Sequence, residues 1–187
     1  MSERSATDEL REEHRSAILQ MSQLEAALGS LAGSAQRAAA EVKSSIKARI
    51  ESLRGHLFLH FRKEEEGLYP EVQRMVAEGA PRVDIMTQFF SQAADSDLTA
   101  HHLLRVRLRE MQELAEGIER CTGEAGGRAP VGPVETLRSL VSTSFDLLTR
   151  HIEKEDGLVF PMIERLLEPA QMEAAAARMR EISRQPA

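Results

Sequence analysis

Several things are scarce in this chain of 187 residues, and each scarcity excludes something. There is one cysteine, Cys121, so no internal disulfide can form and no CxxC pair exists for zinc or redox work. Tryptophan is absent and aromatics make up only 4% of the chain, while Val, Ile and Thr are sparse beside Leu, Ala, Glu and Arg, which argues against an all-β fold. No apolar run approaches the roughly 18 residues a membrane span needs, and the first residues, MSERSATDELREEH, contain no apolar stretch. We therefore expect no secretory signal, no membrane partner and a cytoplasmic location. Basic excess is missing too: the formal net charge is -6, which gives nucleic acid no face to bind. What remains is 42% hydrophobic and 29% charged residues, enough for one globular all-α domain.

Breakers divide the chain into long segments with helical period. One runs from about Asp8 to Leu28, stopping at Gly29-Ser-Leu-Ala-Gly33, and carries Leu10, Ile18, Met21, Leu24 and Leu28. A second runs from about Ser34 to Glu78, ending at Gly79-Ala-Pro81, with Ile46, Ile50, Leu53, Leu57 and His60 on one stripe. Residues 82–94 read as a connector holding one short helix around Phe89 and Phe90. Asp95-Ser-Asp97 reads as a capping cluster for a third helix to about Arg120, with Leu98, His101, Leu104, Leu108 and Met111. A loop follows from Cys121 to Pro133. The fourth helix then runs to about Leu167, and Pro169 opens a short polar fifth. The expected architecture is an antiparallel up-down-up-down four-helix bundle with a short C-terminal extra helix. It forms one domain over 1–187 with a core of about 8–167.

The histidines fall on the apolar stripes, and the second and fourth helices repeat one pattern. His60-Phe-Arg-Lys-Glu64 matches His151-Ile-Glu-Lys-Glu155, with an apolar residue at +1, Lys at +3, Glu at +4, an aromatic at +9 (Tyr69, Phe160) and Pro at +10. The first and third helices each add an inward histidine, His14 and His101, and both have Met or Leu at +7 and +10. The order is therefore His, His-x-x-x-Glu, His, His-x-x-x-Glu, with 46 residues from His14 to His60 and 50 from His101 to His151.

A histidine and a glutamate four apart differ by about 40° around the helix and about 6 Å along it, so both reach one small volume. Imidazole suits iron, zinc, copper and nickel, and carboxylates can bridge two cations. Four histidines and two carboxylates exceed the needs of one metal and match two about 3.5–4 Å apart. A lone inward histidine is more often a hydrogen-bonded core residue than a ligand. Four of them sharing one interior, with the glutamates in register, would be costly to bury without a cation.

HFRKEE at His60–Glu65 is similar to the HFxxEE of bacterial haemerythrins, and HIEKED at His151–Asp156 resembles the motif of their last helix. The pattern resembles the haemerythrin-like, or HHE cation-binding, family over about Asp8 to Leu167. The resemblance implies a four-helix bundle around a non-haem di-iron centre, two irons per chain bridged by oxide or hydroxide. Carried over residue by residue, it implies His14, His60, His101 and His151 as terminal ligands, with Glu64 and Glu155 as bridges. Oxygen-carrying members have His-x-x-x-His on the third helix, whereas the residue four after His101 is Arg105. His56, four before His60, is the candidate for a fifth ligand. His102 shares a face with Arg105 and Arg109 and is expected to be exposed. Asp156 is the alternative to Glu155 as bridge, but the repeat fixes Glu at +4, and Asp156 at +5 points about 140° away from His151 unless the helix bulges there. Glu65 and Glu66 are expected in solvent and Tyr69 in packing.

The absences narrow the function. No Glu-x-x-His of the ferritin-like di-iron bundles is present, nor HExxH, CxxCH or a Walker loop. A phosphotransfer bundle would need one exposed histidine, not four inward ones. The leading expectation is a carrier, sensor or scavenger of oxygen, nitric oxide or peroxide, its pocket lined by Leu, Ile, Phe and Met. Storage or donation of iron is the alternative, and a metal-free helical interaction domain is the plain one. No general acid or base apart from the ligands marks an enzyme. Oligomeric state is open at this stage.

Overall fold

The computed structural model describes residues 5–31, 36–77, 84–124 and 131–185, and among them there is helix and no strand. The elements are α1 (Ala6–Leu31), α2 (Gln36–Arg62), a π-helix π1 (Lys63–Leu68), α3 (Tyr69–Ala77), α4 (Asp84–Glu124), α5 (Val131–Lys154), a second π-helix π2 (Glu155–Val159), α6 (Phe160–Leu166) and α7 (Pro169–Arg184). The long second segment expected from the sequence is thus α2, π1 and α3 in unbroken succession, and the fourth is α5, π2 and α6. The expected breaks at Ser34, Gly33 and Gly79-Ala-Pro81 lie outside the described residues.

One expectation is overturned. Residues 84–124 form a single helix of 41 residues, so the stretch before Asp95 is no connector and Asp95-Ser-Asp97 caps nothing. The reason is in the residues: no glycine or proline interrupts Asp84 to Glu116, and without either nothing removes a hydrogen bond or favours a turn. Asp97 is instead buried in mid-helix. Helix α7 also departs from expectation. It buries Ala175, Ala176, Met179 and Ile182, so it packs as an amphipathic helix rather than lying polar in solvent. Pro169 sits in its first turn, and the Gln171 side chain accepts a hydrogen bond from the Glu168 backbone N–H at 2.9 Å.

Two compact units divide the chain. One comprises Ser16–His56 and Leu103–Thr149. Its core is a stripe at threes and fours: Met21, Leu24, Leu28, Ile46, Ile50, Leu53, Leu104, Leu108, Met111, Leu137 and Val141, all buried. The other comprises Met1–Arg15, Leu57–His102 and Arg150–Ala187. Its apolar core includes Leu10, Leu68, Tyr69, Val72, Phe90, Val159, Phe160, Ile163 and Met179. This second unit contains all four inward histidines and both matched glutamates.

α7 is held against π1 by a glycine. Gly67 is buried, and a Cβ there would stand 2.8 Å from Met179 Cγ and 3.4 Å from Ile182 Cδ1. At the position equivalent in the repeat, seven after the histidine, the other copy has Leu158, 48% exposed. α7 approaches π1 at the one of the two equivalent positions that is a glycine.

Candidate metal centre

Both copies of the repeat break regular helix at the same place. Lys63 to Leu68 and Glu155 to Val159 are π-helical, and in each the backbone N–H at the end bonds five residues back, Tyr69 to Glu64 O and Phe160 to Glu155 O. A π-turn spreads five residues over the arc a regular turn gives to four. Residues at +4 and +5 from the histidine can then both face the interior. The regular-helix phase expected for Asp156 and Glu65 fails for that reason.

His14, His60, His101, His151, Glu64 and Glu155 are all buried, with side-chain exposures of 4% or less. They form two quartets sharing both glutamates: His14, His60, Glu64, Glu155 and Glu64, His101, His151, Glu155, each able to offer one ligand atom from each residue within 4.8 Å. The geometry repeats across the pair. His14 Nε2 lies 3.0 Å from His60 Nε2, and His101 Nε2 lies 3.0 Å from His151 Nε2, with ring centroids 4.7 Å apart in both. Glu64 Oε1 is 3.4 Å from His60 Nε2 and its Oε2 is 3.2 Å from His101 Nε2. Glu155 Oε2 is 3.1 Å from His14 Nε2 and 3.2 Å from His151 Nε2.

Carboxylates occupy the far side of the rings. Asp156 Oδ1 is 2.9 Å from His14 Nδ1, Glu65 Oε1 is 2.8 Å from His101 Nδ1, and Glu13 Oε2 is 2.9 Å from His60 Nδ1. His151 Nδ1 has no hydrogen bond, and Asp97 Oδ1 stands 3.6 Å from it. An ionised carboxylate can only accept, so the three paired Nδ1 atoms carry the protons and their Nε2 atoms turn lone pairs inward. The backing carboxylates are themselves held. Lys63, buried, donates to Glu9 at 2.7 Å and also to Glu13, and Lys154 donates to Asp97 at 2.8 Å. Phe61 stacks on His101 at 4.2 Å and Phe160 on His14 at 5.5 Å, excluding water from the ring faces.

The interior is therefore rich in acceptors, three Nε2 lone pairs and two carboxylates, with the Tyr69 hydroxyl as a donor to Glu155 Oε1. Neither oxygen of Glu64 has a hydrogen-bond partner, and neither does Glu155 Oε2, although all three lie within 3.4 Å of imidazole nitrogens. Those approaches are lone pair to lone pair unless positive charge sits between them. The acid–base balance points the same way. Burial alone lowers the imidazole of His60, but the Glu64 charge and the bonds to Glu13 and Glu64 outweigh it and raise it to about 10. For His101 burial is again opposed, by Glu155, Glu64 and Glu65, which raise it to about 11. Glu64 is driven well below the usual carboxylate range because the His60 charge overcomes its burial. Such a pocket demands cations, and protons are the least it can hold. Two imidazoles and shared carboxylates per quartet fit divalent transition metals.

His56 is brought into neither quartet: it is half-buried, in the other compact unit, one turn before His60. His102 is exposed, and Glu66 is exposed and pairs with Arg62 at 2.9 Å. Three expectations are corrected. Glu65 and Asp156 are not clear of the site but hold His101 and His14. Tyr69 is more than packing: its hydroxyl, buried, lies 3.1 Å from Glu155 Oε1 and 3.3 Å from Asp97 Oδ2. Sequence reasoning missed Glu13, Lys63, Asp97 and Lys154 as members of the network. The repeated Lys at +3 was a signal for two of them. No periodicity marks Glu13, one residue before His14, whereas Asp97, four before His101, has the spacing of a shared helix face that its reading as a cap concealed.

A comparison with curated proteins finds no match. A profile of the hemerythrin HHE cation-binding domain matches residues 5–163, which spans all six buried ligand candidates and stops before α7. On the strength of that match and of the two quartets, the chain belongs to the hemerythrin HHE cation-binding family.

Proposed function

We propose that this protein is a non-haem di-iron protein that binds a small ligand such as oxygen, nitric oxide or peroxide, as a carrier, sensor or scavenger. In this reading the chain is a single domain folded as an antiparallel four-helix bundle with α7 added, and it works in the cytoplasm. His14 and His60 would hold one iron and His101 and His151 the other, with Glu64 and Glu155 available to both. The observation that carries the reading is the acceptor-rich interior: Glu64 has two buried oxygens without a hydrogen bond, facing imidazole nitrogens from both halves.

Iron bound there supplies redox electrons and coordination positions for the small ligand. The chain's own residues do the rest. Glu13, Glu65 and Asp156 fix three rings in the tautomer that presents Nε2. Phe61, Phe160, Leu10 and Leu57, all buried, keep the surroundings dry, which strengthens each electrostatic contact within. The Tyr69 hydroxyl is a proton donor at the rim of the carboxylates.

The test is elemental analysis of protein produced with iron available, followed by optical spectra of the anaerobically reduced form before and after oxygen. About two irons per chain are expected, with a charge-transfer band that forms and disappears reversibly. Irreversible bleaching with iron loss would favour iron storage or donation instead. Absence of transition metal would defeat both.

A further inference from the structure

Both copies of the repeat carry a lysine that is no ligand candidate. Lys63 stands three after His60 and Lys154 three after His151. Three residues along a helix is about 300° of turn and about 4.5 Å of rise, so each lysine lies beside its histidine on the neighbouring stripe. Both belong to the compact unit that holds the two quartets. Lys63 is buried, and a lysine is almost never fully buried unless its charge is met.

In both copies the lysine meets the carboxylate that stands behind the repeated histidine. Glu13 divides its oxygens: Oε2 is 2.9 Å from His60 Nδ1, and Oε1 accepts from Lys63. Asp97 Oδ1 accepts from Lys154 at 2.8 Å and stands 3.6 Å from His151 Nδ1. A second acceptor fixes each ammonium, Glu9 Oε1 at 2.7 Å for Lys63 and the Ala93 carbonyl at 2.9 Å for Lys154. The two carboxylates come from unmatched positions, Glu13 on α1 one residue before His14 and Asp97 on α4 four before His101. What recurs is the lysine, a carboxylate charge and the histidine. A contact reached from two different backbone positions is held by its chemistry rather than by the register of the repeat.

A carboxylate behind an imidazole draws the Nδ1 proton toward itself and makes the Nε2 lone pair a stronger donor. An ammonium on the same carboxylate opposes that, because it takes up part of the negative charge. We propose that Lys63 and Lys154 are positioning residues that limit the donor strength of His60 and His151, and so bias the metal centre toward divalent over trivalent ions. Stronger donors and more negative charge favour the more highly charged ion, and each lysine subtracts from both. At His60 the effect passes through a hydrogen bond. At His151 it is electrostatic, across 3.6 Å. His60 belongs to one quartet and His151 to the other, so the bias reaches both halves. The inference rests on the metal-binding reading above and adds which charge state the surroundings favour.

Two redox-inert probes separate charge from fit: zinc(II) and gallium(III), each titrated into the metal-free full chain in competition with a chelator. The quantity read is the ratio of gallium affinity to zinc affinity. Lys63→Met and Lys154→Met keep an unbranched side chain and remove its charge. Each should raise the ratio about tenfold, the scale of one unit charge acting on one further unit of metal charge across a protein interior, and the double variant should raise it further. Lys63→Arg and Lys154→Arg keep the charge and should leave the ratio near that of the wild type. If the lysines only hold the helices together, zinc and gallium will weaken by the same factor in the methionine variants, and that unchanged ratio overturns the proposal. An arginine variant that moves the ratio as far as methionine does overturns it too. The Lys154 side chain is 29% exposed, so Lys154→Met carries the test if Lys63→Met does not fold. Failure of the wild type to bind either ion would instead remove the metal-binding reading beneath it.

Discussion

The two π-helices perform the same task under different conditions. In π1 the outward side is covered: Gly67 lets Met179 and Ile182 of α7 come within van der Waals distance, and Arg62 just before it bonds Gln185 at 2.8 Å. In π2 the outward side is open: Leu158 is 48% exposed and Gly157 has nothing within 4 Å of the place a Cβ would take. Yet the ligand geometry inside is the same, with Glu64 and Glu155 both fully buried and equivalent Nε2–Nε2 distances. The placement of ligands is thus a property of the π-turn and its carboxylate–imidazole contacts, not of the helix packed outside. α7 lies beyond residues 5–163 of the family match and packs against π1 at Gly67.

Removing a shared carboxylate breaks both halves at once and should have the largest effect. Glu64→Ala should cost most of the bound metal and Glu155→Ala somewhat less, because Glu155 already gives one oxygen to Tyr69. Elemental analysis after gel filtration reads this directly, and unchanged metal in Glu64→Ala would remove it from the ligand set.

The covered half can be attacked from outside. Gly67→Leu drives a side chain into Met179 and should cost about 1–3 kcal/mol by urea unfolding, the scale of overpacking. The carboxylates behind the rings test whether the halves are equivalent. Asp156→Asn and Glu65→Gln should each weaken metal binding about 10–100-fold, and by similar factors, because they hold His14 and His101 through matched bonds of 2.9 and 2.8 Å. A silent Asp156→Asn would mean that only the covered half depends on such support.

Acidity distinguishes the metal-free from the loaded protein. His60 and His101 stand at about 10 and about 11 in the folded chain, above their ordinary 6.5. Groups raised in this way stabilise the fold fully below pH 6.5 and lose that contribution as pH climbs through 10 and 11. Glu64 and Glu155 are lowered, so theirs is present above 4.5 and fades as pH falls. The urea midpoint of metal-free protein should accordingly fall between pH 6.5 and 10, and bound metal should abolish that decline by replacing the protons. The smallest expected change lies on the open half. Gly157→Ala meets no neighbour and should stabilise the helix by about 0.5–1 kcal/mol with metal content unchanged.

Much of this was legible in the residues. The helical stripes, the six buried ligand candidates and the separation of exposed His102 from buried His101 follow from period and repeat alone. Reading Asp95-Ser-Asp97 as a cap failed because a capping residue and a buried helical acid look alike until Lys154 and Tyr69 are seen against it. Glu65 and Asp156 were misplaced because phase arguments assume 100° per residue, and the π-turns break that assumption at the very positions in question.

The sequence by itself determined which side chains meet in the interior, since apolar period and an in-register repeat leave histidines and glutamates no other face to occupy. Only the tertiary structure decided their surroundings: which carboxylate backs which ring, where the helix widens, that α7 covers one π-turn, and that the Tyr69 hydroxyl meets Glu155 and Asp97. Those depend on distances between segments up to 142 residues apart, such as His14 and Asp156. Local period constrains direction around one helix axis and carries no information about what stands opposite.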